Sequence, residues 1–111
     1  MLTVGARIRE IRKSRKLTQR ELADLVGMNF TYLSRVENDR LDDDQTPREE
    51  TIQRIASALD ADADELLILA RRIPDNYRTR ILSQPDVFRR ILTLSDEQLS
   101  LLVERAETAE A

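Results

Sequence analysis

The chain of 111 residues contains no cysteine, no histidine and no tryptophan, and only two glycines, three prolines, two tyrosines and two phenylalanines. Without cysteine there is no disulfide framework and no thiolate metal site, and a cytoplasmic setting is the expectation. Without histidine, the commonest general base and the commonest metal ligand are both missing. The two glycines, Gly5 and Gly27, are too few and too far apart for a phosphate-cradling loop. No run approaches the ~18 apolar residues of a membrane helix. The opening stretch MLTVGARIREIRK has neither the apolar core nor the cleavage site of a signal peptide. Glu49 and Glu50 fall at an expected helix start, where the macrodipole accounts for them. Asp42, Asp43 and Asp44 lack the Ca²⁺ ligand spacing and read as a solvated loop. The expectation is therefore no enzyme, no metal and no cofactor.

What remains is a small helical protein filled by Leu, Ile, Val and Ala. Its net charge of −3 is unevenly spread. Residues 1–40 hold nine Lys/Arg against five Asp/Glu, a net of +4, and residues 41–111 hold nine against sixteen, a net of −7. Nucleic-acid binding depends on a local basic patch rather than the overall sum. The first part has such a patch, and the acidic part is expected to point away from a polyanion.

Leu17 to Glu37 reads as two short helices around a glycine turn. Thr18 and Glu21 have the spacing of a capping box, with Leu17 and Leu22 as its hydrophobic staple. Leu22, Ala23 and Val26 form an inward stripe. Gly27 suits a left-handed position after the helix, and Asn29 suits the N-cap of the next one. At about 100° per residue, Asn29, Val36 and Glu37 fall within roughly 60° of Leu33, and Thr31, Arg35 and Asn38 fall near the opposite side. Ser34 and Tyr32 flank them. An apolar inner face and a donor-rich outer face on a sharply turned second helix is the build of a helix-turn-helix DNA reader.

Other elements follow the same logic. A first helix from about Thr3 to Arg15 carries Val4, Ile8 and Ile11 on one face, and Arg9, Lys13 and Lys16 on a basic face that a phosphate backbone would suit. A fourth helix is expected from a second capping box, Thr46 and Glu49, with Pro47 at its first position. Ile52, Ile55, Ala56 and Leu59 line its inner stripe. A fifth starts at Asp62, with Glu65 three residues on, and buries Leu66, Leu67 and Ala70. Pro74 then punctuates the chain. Beyond it, Tyr77 and Ile81 share a helical face, Pro85 opens a helix, and Ser95 with Gln98 forms a further capping box, with Leu94 and Leu99 as its staple. The end, AETAEA, is expected to fray. So short a segment is too small for its own core, so its apolar stripes must pack on something else.

Residues from about Arg7 to Leu69 resemble the lambda-repressor-like, Xre-type helix-turn-helix domain. The strings that carry the resemblance are LTQRELA, Tyr32 to Asn38 (YLSRVEN), Thr46 to Leu59 (TPREETIQRIASAL) and DADELL ending at Leu67. The resemblance implies an all-α, five-helix DNA-binding domain, assigned to residues 1–72; residues 73–111 read from their own pattern as a helical extension. It implies that Phe30, Thr31, Tyr32 and Arg35 reach base edges. It places Gln19 on a DNA phosphate, with Asn38 and Arg40 grouped with it. It also pairs Arg12 with Glu37, bracing the first helix against the reader. Two departures stand out: Asp39 where relatives often carry Gly, and an acidic loop at Asp42 to Asp44 where many carry basic residues.

The expected partner is double-stranded DNA, bound as a homodimer. The extension supplies the pairing surface through Phe88, Ile91, Leu92, Leu99, Leu102 and Val103. The leading expectation is a transcriptional repressor reading an inverted repeat. The alternatives are a DNA-binding antitoxin whose C-terminal helices grip a toxin protein, and an adaptor that uses the fold for protein contacts alone.

Overall fold

The computed structural model describes residues 2–41 and 46–110; Asp42, Asp43 and Asp44 lie outside the described residues. The chain is all-α, and among the described residues it forms eight helices and no strand. They divide into two compact units, Met1–Pro74 and Asp75–Ala111.

The first unit holds α1 (Val4–Ser14), α2 (Gln19–Val26), α3 (Phe30–Glu37), α4 (Glu49–Leu59) and α5 (Ala63–Leu69). Most ends are set by signals one turn long. Thr3 caps α1 by accepting from the Ala6 N–H. Thr18 and Glu21 form a complete reciprocal box at α2, at 3.0 and 3.1 Å. Gly27 ends α2 at φ 72°, a left-handed conformation that a Cβ would strain. Asn29 opens α3 by accepting from the Thr31 N–H, and Asp62 opens α5 by accepting from the Asp64 and Glu65 N–H groups.

The α4 start differs from the sequence reading. Its N-cap is Arg48, with no side-chain cap, and neither Thr46 nor Pro47 is part of the helix. The carbonyls of Pro47 and Thr46 instead accept from the Arg72 guanidinium, at 2.7 and 3.3 Å. That long-range clamp holds both residues outside the helix.

The core is one cluster centred on Ile8, Leu22, Leu33, Ile52, Ile55, Leu59, Leu66 and Leu67, all essentially inaccessible. α4 packs on α2 and α5, and α3 is held against α1 and α2. Arginines tie the periphery together. Arg15 donates to the carbonyls of Leu59 and Asp60 at 2.8 and 3.0 Å, Arg54 donates to the Val26 carbonyl, and Arg7 bridges Glu10 and Glu65. Arg15 and Arg54 thereby satisfy carbonyls that helix ends leave without intrahelical partners.

The second unit holds α6 (Asp75–Ser83), α7 (Pro85–Ile91) and α8 (Asp96–Glu110), with α6 packed on α7. Pro85 takes the first helical position of α7. Ser95 and Gln98 exchange backbone and side-chain hydrogen bonds at 2.9 and 3.1 Å ahead of α8. α8 extends to Glu110, into the AETAEA end, where Ala and Glu are strong helix formers and no Gly or Pro interrupts them. No described residue of these helices is buried. Phe88, Ile91 and Leu99 are half-buried, while Leu92, Leu102 and Val103 are exposed, Leu92 to 74%. Among the described residues, no helix is long and apolar enough to cross a membrane.

Candidate nucleic-acid interface

α3 turns Leu33, Val36 and Glu37 inward and leaves Thr31, Arg35 and Asn38 exposed. The outer residues converge. Phe30, Thr31, Ser34, Arg35, Asn38 and Arg40 line one shallow depression. A second depression adjoins it along Phe30, Ser34 and Asn38, and brings in Arg9 from α1 with Gln19 and Arg20 from α2. The two together form a continuous surface with Arg9, Arg20, Arg35 and Arg40 on it. Of the α1 basic face, only Arg9 lines this surface; Lys13 and Lys16 do not.

Tyr32 is half-buried against the core and does not line either depression, because it sits on the flank of α3 rather than opposite Leu33. Phe30 is also half-buried against the core, and the Arg20 guanidinium carbon lies 4.4 Å from its ring centroid. The Asn38 amide donates back to the Ser34 carbonyl at 2.8 Å, so its nitrogen closes the last turn of α3 while its oxygen stays available. The Arg40 N–H donates to the Arg35 carbonyl at 2.8 Å, which folds Arg40 back beside Arg35.

Beneath this surface lies an ion pair. Arg12 Nε and Nη2 donate to the two oxygens of Glu37 at 2.8 and 3.0 Å, a bidentate fork between side chains that are 8% and 0% exposed. The third direction of the fork is used as well, since Arg12 Nη1 donates to the Leu17 carbonyl at 2.8 Å. Gln19 Nε2 donates to Glu37 Oε1 at 3.1 Å. The carboxylate therefore holds α1, the α2 start and α3 in one arrangement. Among the described residues, no buried side-chain polar atom lacks a partner. The bond to Glu37 fixes where the Gln19 amide lies, at the edge of this surface.

Asp39, the departure from glycine, takes a left-handed φ of 54°. Its carboxylate accepts from Thr3 Oγ1 at 2.6 Å and from the Gly5 N–H at 3.3 Å. It thus joins the end of α3 to the start of α1, where a negative charge is favoured by the helix dipole. Arg20, Ser34 and Asp39 were not singled out as site or bracing residues by sequence reasoning. Ser34 was legible from its angular position; Arg20 and Asp39 act through partners distant in sequence.

A helix-turn-helix family profile matches residues 8–66, more than half of the chain. This chain belongs to the helix-turn-helix family. Its type is the lambda-repressor-like, Xre one, a family of DNA-binding transcription regulators. The helix-turn-helix unit is 43% identical over 58 residues to the immunity repressor protein of Bacillus phage phi105, covering 52% of this chain and 38% of that protein. The chain thus spans well under half the length of that relative. The restriction-modification controller protein C.AhdI from Aeromonas hydrophila is 33% identical, with a TM-score of 0.51 over 57% of this chain and 89% of its own. A chain of the SinR protein/SinI protein complex, 21% identical, has the same fold over 97% of this chain and 98% of its own, with a TM-score of 0.56.

Proposed function

We propose that this chain is a transcriptional repressor that binds an inverted-repeat operator as a homodimer, with α3 in the major groove. The observation that carries the reading is the outer face of α3. Thr31, Ser34, Arg35 and Asn38 lie on one surface with Arg9, Arg20 and Arg40 around them. An α-helix fits the major groove, and the planar fork of Arg35 suits the O6 and N7 of guanine. Thr31 and Arg35 carry the base-reading proposal because both are exposed, whereas Phe30 and Tyr32 are half-buried against the core. Gln19, Asn38 and Arg40 are assigned to phosphates flanking that groove, where contacts fix register without reading sequence.

One short recognition helix reads only a few base pairs, and a two-fold dimer reads two half-sites about 34 Å apart. The dimer is assigned to the second unit, because its apolar residues are unburied within one chain and Phe88, Ile91, Leu92, Leu99, Leu102 and Val103 offer surface for a twin copy. The same exposure favours a second reading, in which these helices grip a different protein, as in an antitoxin. Selection of bound duplexes from a random pool, coupled to a mass measurement of the free protein, tests both. The proposal expects an inverted repeat, a dimer, and loss of the dimer on truncation after Pro74. A monomer that dimerises only with a co-purifying partner supports the second reading, and recovery of no preferred duplex overturns both.

A further inference from the structure

We infer that Arg20 is a DNA-phosphate contact held in place by Phe30, so that Phe30 acts as the platform for a guanidinium rather than as a reader of bases. The inference rests on the DNA-binding reading above and extends it to a residue pair.

Phe30 opens α3, and its ring is seated partly in the core. That seating fixes one face of the ring. The Arg20 guanidinium carbon sits 4.4 Å from the ring centroid. A guanidinium over an aromatic face is attracted by the ring quadrupole, and its N–H donors radiate around the edge of the stack. None of the ion pairs among the described residues involves Arg20, in contrast to Arg7 and Arg12. Arg20 is exposed and lines the same depression as Arg9, Gln19, Ser34 and Asn38. An anion that reaches Gln19 at the start of α2 therefore meets Arg20 on the adjacent residue.

Local energetics point the same way. A cation in the first turn of α2 lies at the positive end of the macrodipole, where it is disfavoured until an anion arrives. The stack on Phe30 offsets part of that cost and restricts the rotamers of a long side chain. Less conformational freedom is then lost when a phosphate is engaged. The chemistry that fits is a phosphodiester oxygen at the edge of the groove occupied by α3. Arg20 belongs to α2 rather than to the outer face of α3, which is why it is assigned position and affinity rather than sequence preference.

The test uses the full chain and a duplex recovered by selection, or a random-sequence duplex at low salt if none is recovered. Arg20→Ala should weaken binding alike on all sequences and reduce the slope of log affinity against log salt by about 0.9. Arg20→Lys should keep that slope, since the charge remains, and lose about two- to fivefold in affinity with the stack. Phe30→Leu should lose a similar factor in the wild-type background and nothing further in the Arg20→Ala background, with base preference unchanged throughout. Thermal unfolding of each variant separates loss of fold from loss of contact. A Phe30→Leu loss that persists without Arg20, or a change in base preference, overturns the platform role. Unaltered affinity and salt slope in Arg20→Ala overturns the phosphate contact while leaving the DNA-binding reading intact. Failure of the wild-type chain to bind any duplex overturns both.

Discussion

Gly5 lies directly against the carbonyl of Val36, and a Cβ at that position would also stand only 2.8 Å from the Glu37 carbonyl. Both obstacles are backbone atoms at the end of α3, so neither can swing aside. Glycine in a helix is ordinarily unfavourable by about 0.5–1 kcal/mol, and here it is the residue that lets α1 and α3 meet. Gly5→Ala should lower stability by about 1–3 kcal/mol through overpacking and tilt α3 enough to weaken DNA binding. Thermal unfolding checks this, and an unchanged melting temperature would contradict the close approach.

Asp39 combines a left-handed backbone with a carboxylate that holds Thr3 and Gly5. Asp39→Gly relieves the backbone and loses the clamp, whereas Asp39→Ala loses the clamp and keeps a Cβ in the unfavourable conformation. The glycine variant should therefore exceed the alanine variant in stability by about 1–2 kcal/mol. Equal denaturant midpoints for the two would show that the backbone at this position is not strained.

Glu37→Ala leaves the Arg12 guanidinium buried without its carboxylate. Breaking a buried pair in this way is destabilising by roughly 3–5 kcal/mol. The Gln19 amide also loses the oxygen that orients it, so DNA affinity should fall further than global stability accounts for. Binding measured well below the melting temperature separates the two effects. A loss of stability with affinity intact would sever Gln19 from DNA binding.

The elements that were legible from sequence are those whose causes lie within one helical turn. Thr18 with Glu21, Ser95 with Gln98, Gly27 and Asn29 are such pairs and singles, and the inner stripes of α1 to α5 follow from periodicity. The α4 start has a distant cause: Arg72 takes the carbonyls of Thr46 and Pro47 from 26 and 25 residues away. The Asp39 clamp spans 34 and 36 residues, and the Gln19–Glu37 bond spans 18. For the surface, angular position alone brought out Thr31, Arg35 and Asn38. Phe30 and Tyr32 enter through the family resemblance, and angular position gives no sign that both pack partly against the core or which arginines brace the fold and which face outward.

The capping box of α2 carries a pH dependence. The Thr18 backbone N–H and then its side chain hold the Glu21 carboxyl below its ordinary value. With the folded value below the unfolded one, the contribution is complete above the ordinary Glu range and is lost as pH falls through the folded value. Glu21→Gln retains an acceptor that does not titrate, so its melting temperature should fall less steeply on acidification than that of the wild-type chain. Parallel acid limbs for the two proteins would remove Glu21 from the acid response.

Base reading by the outer face of α3 is open to a decisive measurement at Arg35. Affinities of wild type and Arg35→Ala are measured on the selected duplex and on duplexes changed at each base pair in turn, at one fixed salt concentration. Arg35→Ala should lose about 1–3 kcal/mol on the selected duplex, with discrimination relaxed at one base pair per half-site and kept elsewhere. An equal loss on every duplex would make Arg35 a phosphate contact and contradict base reading by α3.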